Sequence, residues 1–233
     1  RNQRYVGSNN LNLLEPRGAF GSRLSNGADA ASPRYIFTQL SEVTKKIFDS
    51  RDSQLLTYLE SDGMSIEPEW FAPVIPMILV NGTVGIGSGF STNVLQYNPI
   101  DLCKYLNALL DDKKAVKNLK PWYRGFNGTV ERVSSGKYLT IGCYTFDDTK
   151  RSLTITELPI GVWTDDYKEF IEEMLADKND DIVSDIRYGN SDVMVNIEIV
   201  INHKAYGMIR EMDTDELLTK FKLSSKLSCT NMY

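Results

Sequence analysis

Along the chain, apolar residues alternate with polar ones over several short stretches and recur at helical spacing over a few others. Tyr35 to Leu40 mixes aromatic and β-branched residues and predicts a short strand, after which Ser41 is placed to cap a helix through Val43, Ile47 and Phe48. Asn98 followed by Pro99 reads as a helix start, with Ile100, Cys103, Leu106, Leu109 and Leu110 on one apolar face. Val74 to Val80 is continuously apolar apart from Pro76 and predicts a buried strand feeding a glycine-rich loop, Gly82 to Gly89. No charge occurs from Trp70 to Ile100, yet Pro73, Pro76 and the glycines interrupt that stretch, and its apolar run is too short to cross a bilayer. Beyond Lys120 the pattern becomes strand-like over Gly128 to Val133, Tyr138 to Tyr144, Leu153 to Glu157 and Val193 to Ile201. Helical segments fall near Asp165 to Leu175 and Asp213 to Phe221, which predicts a second α+β unit with a boundary near residues 75 to 97. Residues 1 to 30, rich in Asn, Gly and Ser, predict an irregular loop.

Composition narrows the class. At 233 residues and 42% hydrophobic, the chain holds one large or two small globular domains. Cys103, Cys143 and Cys229 are odd in number and far apart, so neither a disulfide framework nor a zinc site is suggested. Asn81-Gly82-Thr83 and Asn127-Gly128-Thr129 match the glycosylation sequon, but Asn-Gly is a common tight-turn pair and no signal peptide accompanies them. The chain opens on Arg1 and reads as a piece of a longer protein. Its net charge of −5 hides a gradient: residues 1 to 35 hold five arginines against Glu15 and Asp29, a net +3, leaving −8 for the remainder. A local basic patch suffices for phosphate contacts, because salt screens charge beyond about 8 Å.

The chemistry-bearing candidate is Arg34-Tyr35, within Ala30-Ala31-Ser32-Pro33-Arg34-Tyr35-Ile36-Phe37. An unassisted phenol, with a pKa near 10, is a poor nucleophile. Attack on phosphorus needs neighbouring positive charge, which Arg34 and Arg23 offer in a fork that matches phosphoryl oxygens. Taken alone, such a pair is as compatible with an inert packed tyrosine. Gly85-Ile86-Gly87-Ser88-Gly89 fails the dinucleotide fingerprint, since Phe90 stands at the sixth position and the next helix starts only near Asn98. Asp213-Thr214-Asp215-Glu216 leads directly into a helix, where acidic residues serve the N-terminal dipole, so no metal ligands are assigned. His203, the one histidine, has no partner at a catalytic spacing.

Three motifs together, Gly7-Ser8-Asn9-Asn10-Leu11-Asn12-Leu13-Leu14, the Pro33-Arg34-Tyr35 stretch and Asn81-Gly82-Thr83-Val84-Gly85-Ile86-Gly87-Ser88-Gly89, closely resemble the cleavage-and-religation region of a type IIA DNA topoisomerase of the eukaryotic or viral kind. Pro121-Trp122-Tyr123-Arg124-Gly125-Phe126-Asn127-Gly128, Ile155-Thr156-Glu157-Leu158-Pro159-Ile160 and Phe221-Lys222-Leu223 with Thr230-Asn231-Met232 extend the likeness over almost the whole chain. The resemblance implies an α+β fold: the C-terminal part of a winged-helix domain over residues 1–78, then an α/β tower domain over 79–233. It implies that Tyr35 attacks DNA and is left joined to a 5′ phosphate, with Arg34 stabilising the transition state. Ile86 would wedge between base pairs, with Arg23, Asn9, Asn10, Gly85 and Gly87 as further DNA contacts. Trp122, Tyr123 and Phe126 would pack within the tower. The implied activity is that of an ATP-hydrolysing isomerase, incomplete here. Mg2+ and ATP would be held elsewhere in the full-length enzyme, the partners would be double-stranded DNA and a second copy forming a homodimer, and no membrane is involved. The implied setting is the nucleus if cellular, and the host cytoplasm or virion if the source is a large DNA virus. Ala28, Gly161 and Phe90 depart from the usual family pattern. The competing readings are a non-catalytic DNA-bending module and a tower that serves as a protein interface.

Overall fold

A computed structural model of the chain describes residues 3–111, 119–177 and 181–230. Arg1, Asn231 and Met232, named above, lie outside them. The fold is mixed α/β, and every strand pair in the described residues is antiparallel.

In the N-terminal half, β1 (Leu14–Arg17) pairs with β2 (Phe37–Leu40), Arg17 lying opposite Phe37. A 3-10 turn, Pro33–Tyr35, precedes β2, and α1 (Glu42–Ile47) follows it. Ser41 stands at the start of α1, but its hydroxyl donates to the Asn12 carbonyl and meets the Thr44 hydroxyl without capping a helix amide. A hairpin of β3 (Tyr58–Ser61) and β4 (Met64–Pro68), which the sequence pattern did not predict, comes next.

The apolar stretch Val74 to Val80 is not a strand. Residues Met77–Asn81 form the short helix α2, with the Pro76 carbonyl accepting from the Leu79 and Val80 amides. Proline's fixed φ suits a helix start, and an unbroken apolar run cannot by itself distinguish a helix from a buried strand. Val80 is buried, whereas Val74 and Ile78 are exposed. The glycine-rich stretch is likewise ordered: β5 (Thr83–Gly87) and β6 (Phe90–Val94) make a two-stranded hairpin.

Helix α3 (Pro99–Leu110) begins as its sequence predicts, with the Asn98 side chain accepting from the Ile100 amide and Pro99 in the first turn. Its apolar face, however, is not the buried one. Leu102 is buried and Tyr105 and Leu106 are half-buried, while Ile100, Cys103, Leu109 and Leu110 are exposed.

The C-terminal half holds the main core. Sheet order is β11 (Val183–Tyr188), β12 (Ile197–Ile201), β10 (Ser152–Glu157), β9 (Cys143–Asp147), beside a three-stranded sheet of β13 (Ser224–Ser228), β8 (Lys137–Ile141) and β7 (Thr129–Ser134). Alternation along the strands puts Leu153 and Ile155, and Ile197, Ile199 and Ile201, on the covered face. Over them pack Tyr167 and Ile171, one helical turn apart on α4 (Thr164–Ala176), with Ile209 of α5 (His203–Glu211) and Leu217 and Leu218 of α6 (Thr214–Lys220). Tyr167 donates its hydroxyl to the Phe221 carbonyl at 2.6 Å, and burial pushes that phenol's pKa up. The strand expected over Val193 to Ile201 is formed only from Ile197. Among the described residues no helix is long and apolar enough to cross a membrane.

Candidate functional site

Tyr35 closes the 3-10 turn, its amide donating to the Ser32 carbonyl at 2.9 Å and the Ile36 amide to Pro33. The phenol is 65% exposed. Arg34 is exposed beside it, its guanidinium carbon 5.0 Å from the Tyr35 ring centroid. This turn is held from behind by the loop 18–31, which folds on itself. The Gly27 amide reaches the Ser22 carbonyl and the Ala31 amide the Ala19 carbonyl. Asp29 Oδ1 accepts from the Ser22 amide at 2.8 Å and the Ser25 hydroxyl at 3.0 Å, and those bonds hold its carboxyl below the usual range. Gly21 and Gly27 face each other so closely, both at positive φ, that a Cβ on Gly21 would strike the Gly27 backbone. A groove of about 570 Å3 lies at the foot of the turn, between Phe20, Asn26, Ala31, Pro33 and Ile36.

Ile86 stands on the β5–β6 hairpin opposite Ser91 and is 89% exposed. Gly85 and Gly87 flank it. Neither has a positive φ, nothing lies within 4 Å of a Cβ built on Gly85, and one on Gly87 would make only ordinary contact. The fold itself therefore imposes no glycine at these two positions. Their missing side chains clear space on the outside, and Val84 and Phe90 are exposed nearby.

Two residues expected on the DNA side lie elsewhere. Arg23 is buried, its Nη2 paired with Glu157 and donating to the Leu158 carbonyl at 3.1 Å, so it brings no charge to Tyr35. A guanidinium in this interior must be neutralised, and Glu157 supplies that. Asn10 is also buried. Its Nδ2 donates to the carbonyls of Val80 (2.9 Å), Tyr97 (3.2 Å) and Trp122 (2.9 Å), and its Oδ1 accepts from the Arg124 amide at 2.8 Å. Val80 and Tyr97 bracket the Ile86 hairpin, so Asn10 staples its base. Asn81 adds a reciprocal pair with Leu11, and Gln96 donates to the Ser8 carbonyl. Asn9 is half-buried in the same segment. Tyr123 is buried, Phe126 half-buried and Trp122 partly exposed, a packing arrangement. The Asp213 side chain accepts from the Asp215 amide and so caps α6.

Sequence reasoning passed over two residues. Arg17 is brought by strand register opposite Phe37, two positions beyond Tyr35, and pairs with Glu15 at 3.3 Å; its place in the basic stretch was the available signal. Gln3 donates to the Phe20 carbonyl beneath the loop, and nothing in its neighbours' identity marks it.

A family model described as DNA gyrase/topoisomerase IV matches residues 2–233. DNA topoisomerase 2 of Pisum sativum is 43% identical over 235 residues, covering 99% of this chain and 16% of the pea protein. The mitochondrial DNA topoisomerase 2 of Dictyostelium discoideum is 44% identical over 224 residues, covering 96% of this chain and 17% of that protein. The crystal structure of the Plasmodium falciparum topoisomerase II DNA-binding, cleavage and re-ligation domain superposes with a TM-score of 0.88 at 40% identity, covering 97% of this chain and 30% of that one. The chain thus spans about a sixth of the length of these two full-length relatives. An exposed Arg34-Tyr35 turn, a protruding Ile86 hairpin and a match that runs from residue 2 to 233 place this chain in the type IIA DNA topoisomerase family, as a segment of the longer protein.

Proposed function

We propose that this chain is the part of a DNA topoisomerase II that cleaves and rejoins DNA. The observation that carries the reading is the exposed phenol of Tyr35 with the Arg34 guanidinium against its ring. In the proposed reaction Tyr35 loses its proton and its Oη attacks a backbone phosphorus. The P–O3′ bond breaks, the 3′ oxygen leaves as a hydroxyl, and a 5′-phosphotyrosyl bond forms. Because one phosphoester replaces another, the 3′ hydroxyl can reverse the step without an external energy source. Arg34 offers fixed positive charge to the phosphoryl oxygens in the transition state. Ile86 enters a base step and kinks the duplex, while Gly85 and Gly87 leave room for the backbone. Asn9 lies in the neighbouring Gly7–Leu14 segment and is assigned a supporting contact.

The longer protein supplies the rest. Magnesium and ATP belong to it, and among the described residues no three His, Cys, Asp or Glu side chains gather to hold a metal. Residues 1–78 are read as the C-terminal part of a winged-helix domain, and 79–233 as the tower. The first of these exposes Phe37, Leu40, Leu55, Leu59, Met64, Ile66, Trp70 and Phe71, more apolar surface than an isolated unit carries, which suits coverage by other segments. The working partners are double-stranded DNA and a second copy of the full-length protein. The relatives named above come from cellular eukaryotes, which favours the nucleus, one of them bearing a mitochondrial name.

A bending module with an inert Tyr35 is the second reading, favoured by the exposure of Ile86 independently of the tyrosine. In the full-length protein with magnesium, Tyr35→Phe separates the two: covalent capture of DNA is lost while bending persists. Unchanged cleavage by Tyr35→Phe refutes the catalytic assignment.

A further inference from the structure

Arg23 and Glu157 lie 134 residues apart in sequence and meet in the interior, their side chains 6% and 2% exposed. Glu157 Oε1 also accepts from the Leu158 amide at 2.9 Å, and its Oε2 from the Asn127 amide at 3.1 Å. The next residue after Arg23 joins the same contact, the Leu24 carbonyl accepting from the Asp165 amide in the first turn of α4 at 3.0 Å. Two consecutive residues therefore fasten the loop behind Tyr35 to the end of β10 and the start of α4. Asn127, on the far side of Glu157, lies in the segment 122–127 whose Trp122 carbonyl and Arg124 amide hold Asn10 and, through it, the base of the Ile86 hairpin. Glu157 thus stands between the loop that carries the tyrosine and the segment that seats the wedge.

Stability does not account for such a pair. Removing both charges from water offsets much of their attraction, and apolar residues of similar volume commonly serve as well. What a guanidinium–carboxylate contact adds is direction, because the planar fork accepts few geometries. We propose that Arg23 and Glu157 are positioning residues for strand cleavage, fixing the Tyr35 loop relative to the segment that seats the Ile86 hairpin so that the phenol meets a duplex already kinked. The inference rests on the reading of Tyr35 and Ile86 given above.

The test uses the full-length protein with magnesium and 5′-labelled duplex, measuring the rate of adduct formation as a function of duplex concentration. Glu157→Gln and Arg23→Met are expected to lower the saturating rate at least tenfold while the half-saturating duplex concentration moves less than twofold. Arg23→Lys, which keeps the charge and loses the fork, is expected to fall between them and wild type. An unchanged saturating rate in all three overturns the proposal, as does an effect confined to the half-saturating concentration. The double variant Arg23→Met/Glu157→Leu separates positioning from support of the fold. Melting like wild type with a saturating rate that stays low upholds positioning, and a rate that returns with the melting temperature overturns it. If the double variant does not melt like wild type, Arg23→Lys decides alone: a lowered saturating rate upholds the proposal and an unchanged one overturns it. A wild-type adduct that is absent, or that maps away from Tyr35, withdraws the functional reading as well, whereas a normal adduct with unaffected variants sinks positioning alone.

Discussion

Replacing Asn10 by alanine separates a staple from a DNA contact. The side chain makes four hydrogen bonds to backbone groups, three from Nδ2 and one into Oδ1. Each internal hydrogen bond contributes about 1 kcal/mol net. Two N–H groups shared over three carbonyls give less than three full bonds, so we take about 3 kcal/mol in all. By the rule of about 1.4 kcal/mol per factor of ten, this opens the base of the hairpin roughly a hundredfold more often. Amide hydrogen exchange on the full-length protein reads this directly, since Arg124 loses its acceptor. Its protection should fall by roughly that factor, while Leu153 and Ile199, in the distant sheet, keep theirs. Duplex affinity measured where the protein is folded should change little, because Asn10 is buried and offers nothing to a phosphate. If Arg124 protection is unmoved and duplex binding weakens instead, Asn10 faces DNA and the staple is wrong.

Ile86→Ala should leave folding stability within about 0.5 kcal/mol, because the side chain is 89% exposed. At about 0.8 kcal/mol per methylene, the loss of three carbons weakens duplex bending by up to about 2.4 kcal/mol, read as reduced energy transfer between the ends of a labelled duplex. Equal bending by wild type and variant would rule out the wedge. Asp29 titrates below the ordinary carboxylate range because Ser22 and Ser25 hold its charged form. Its contribution is therefore complete above about pH 4, the unfolded value, and is lost as pH falls through the depressed one. Proteolysis of the loop 18–31 should rise below about pH 4 in wild type. Asp29→Asn, whose Oδ1 still accepts both bonds, should flatten that dependence, and an identical acid step in the variant would assign it to another group.

Sequence reading reached elements whose signals are local. Asn98-Pro99 specified a helix start by capping chemistry alone, and the alternation through Ile197, Ile199 and Ile201 specified a covered strand. It failed where partners decide. Met77–Asn81 is helical although its composition suits a strand, and α3 is buried through Leu102 because the elements that meet it lie on that side. The site divides in the same way. Tyr35, Arg34 and Ile86 were found as motifs and are exposed. Arg23 and Asn10 belong to the same motifs but point inward, toward Glu157 and Trp122, which are more than a hundred residues away. Nothing local to an arginine or an asparagine distinguishes a phosphate contact from a buried strut.

The central claim is that Tyr35 is the nucleophile. Its most direct test is to trap the full-length protein on 5′-labelled DNA with magnesium and denaturant, digest it with trypsin, and identify the labelled peptide. Cleavage after Arg34 and Lys45 predicts that the label travels with the segment from Tyr35 to Lys45 as a 5′-phosphotyrosine. Label on any other peptide, or none while the duplex remains bound, contradicts the account.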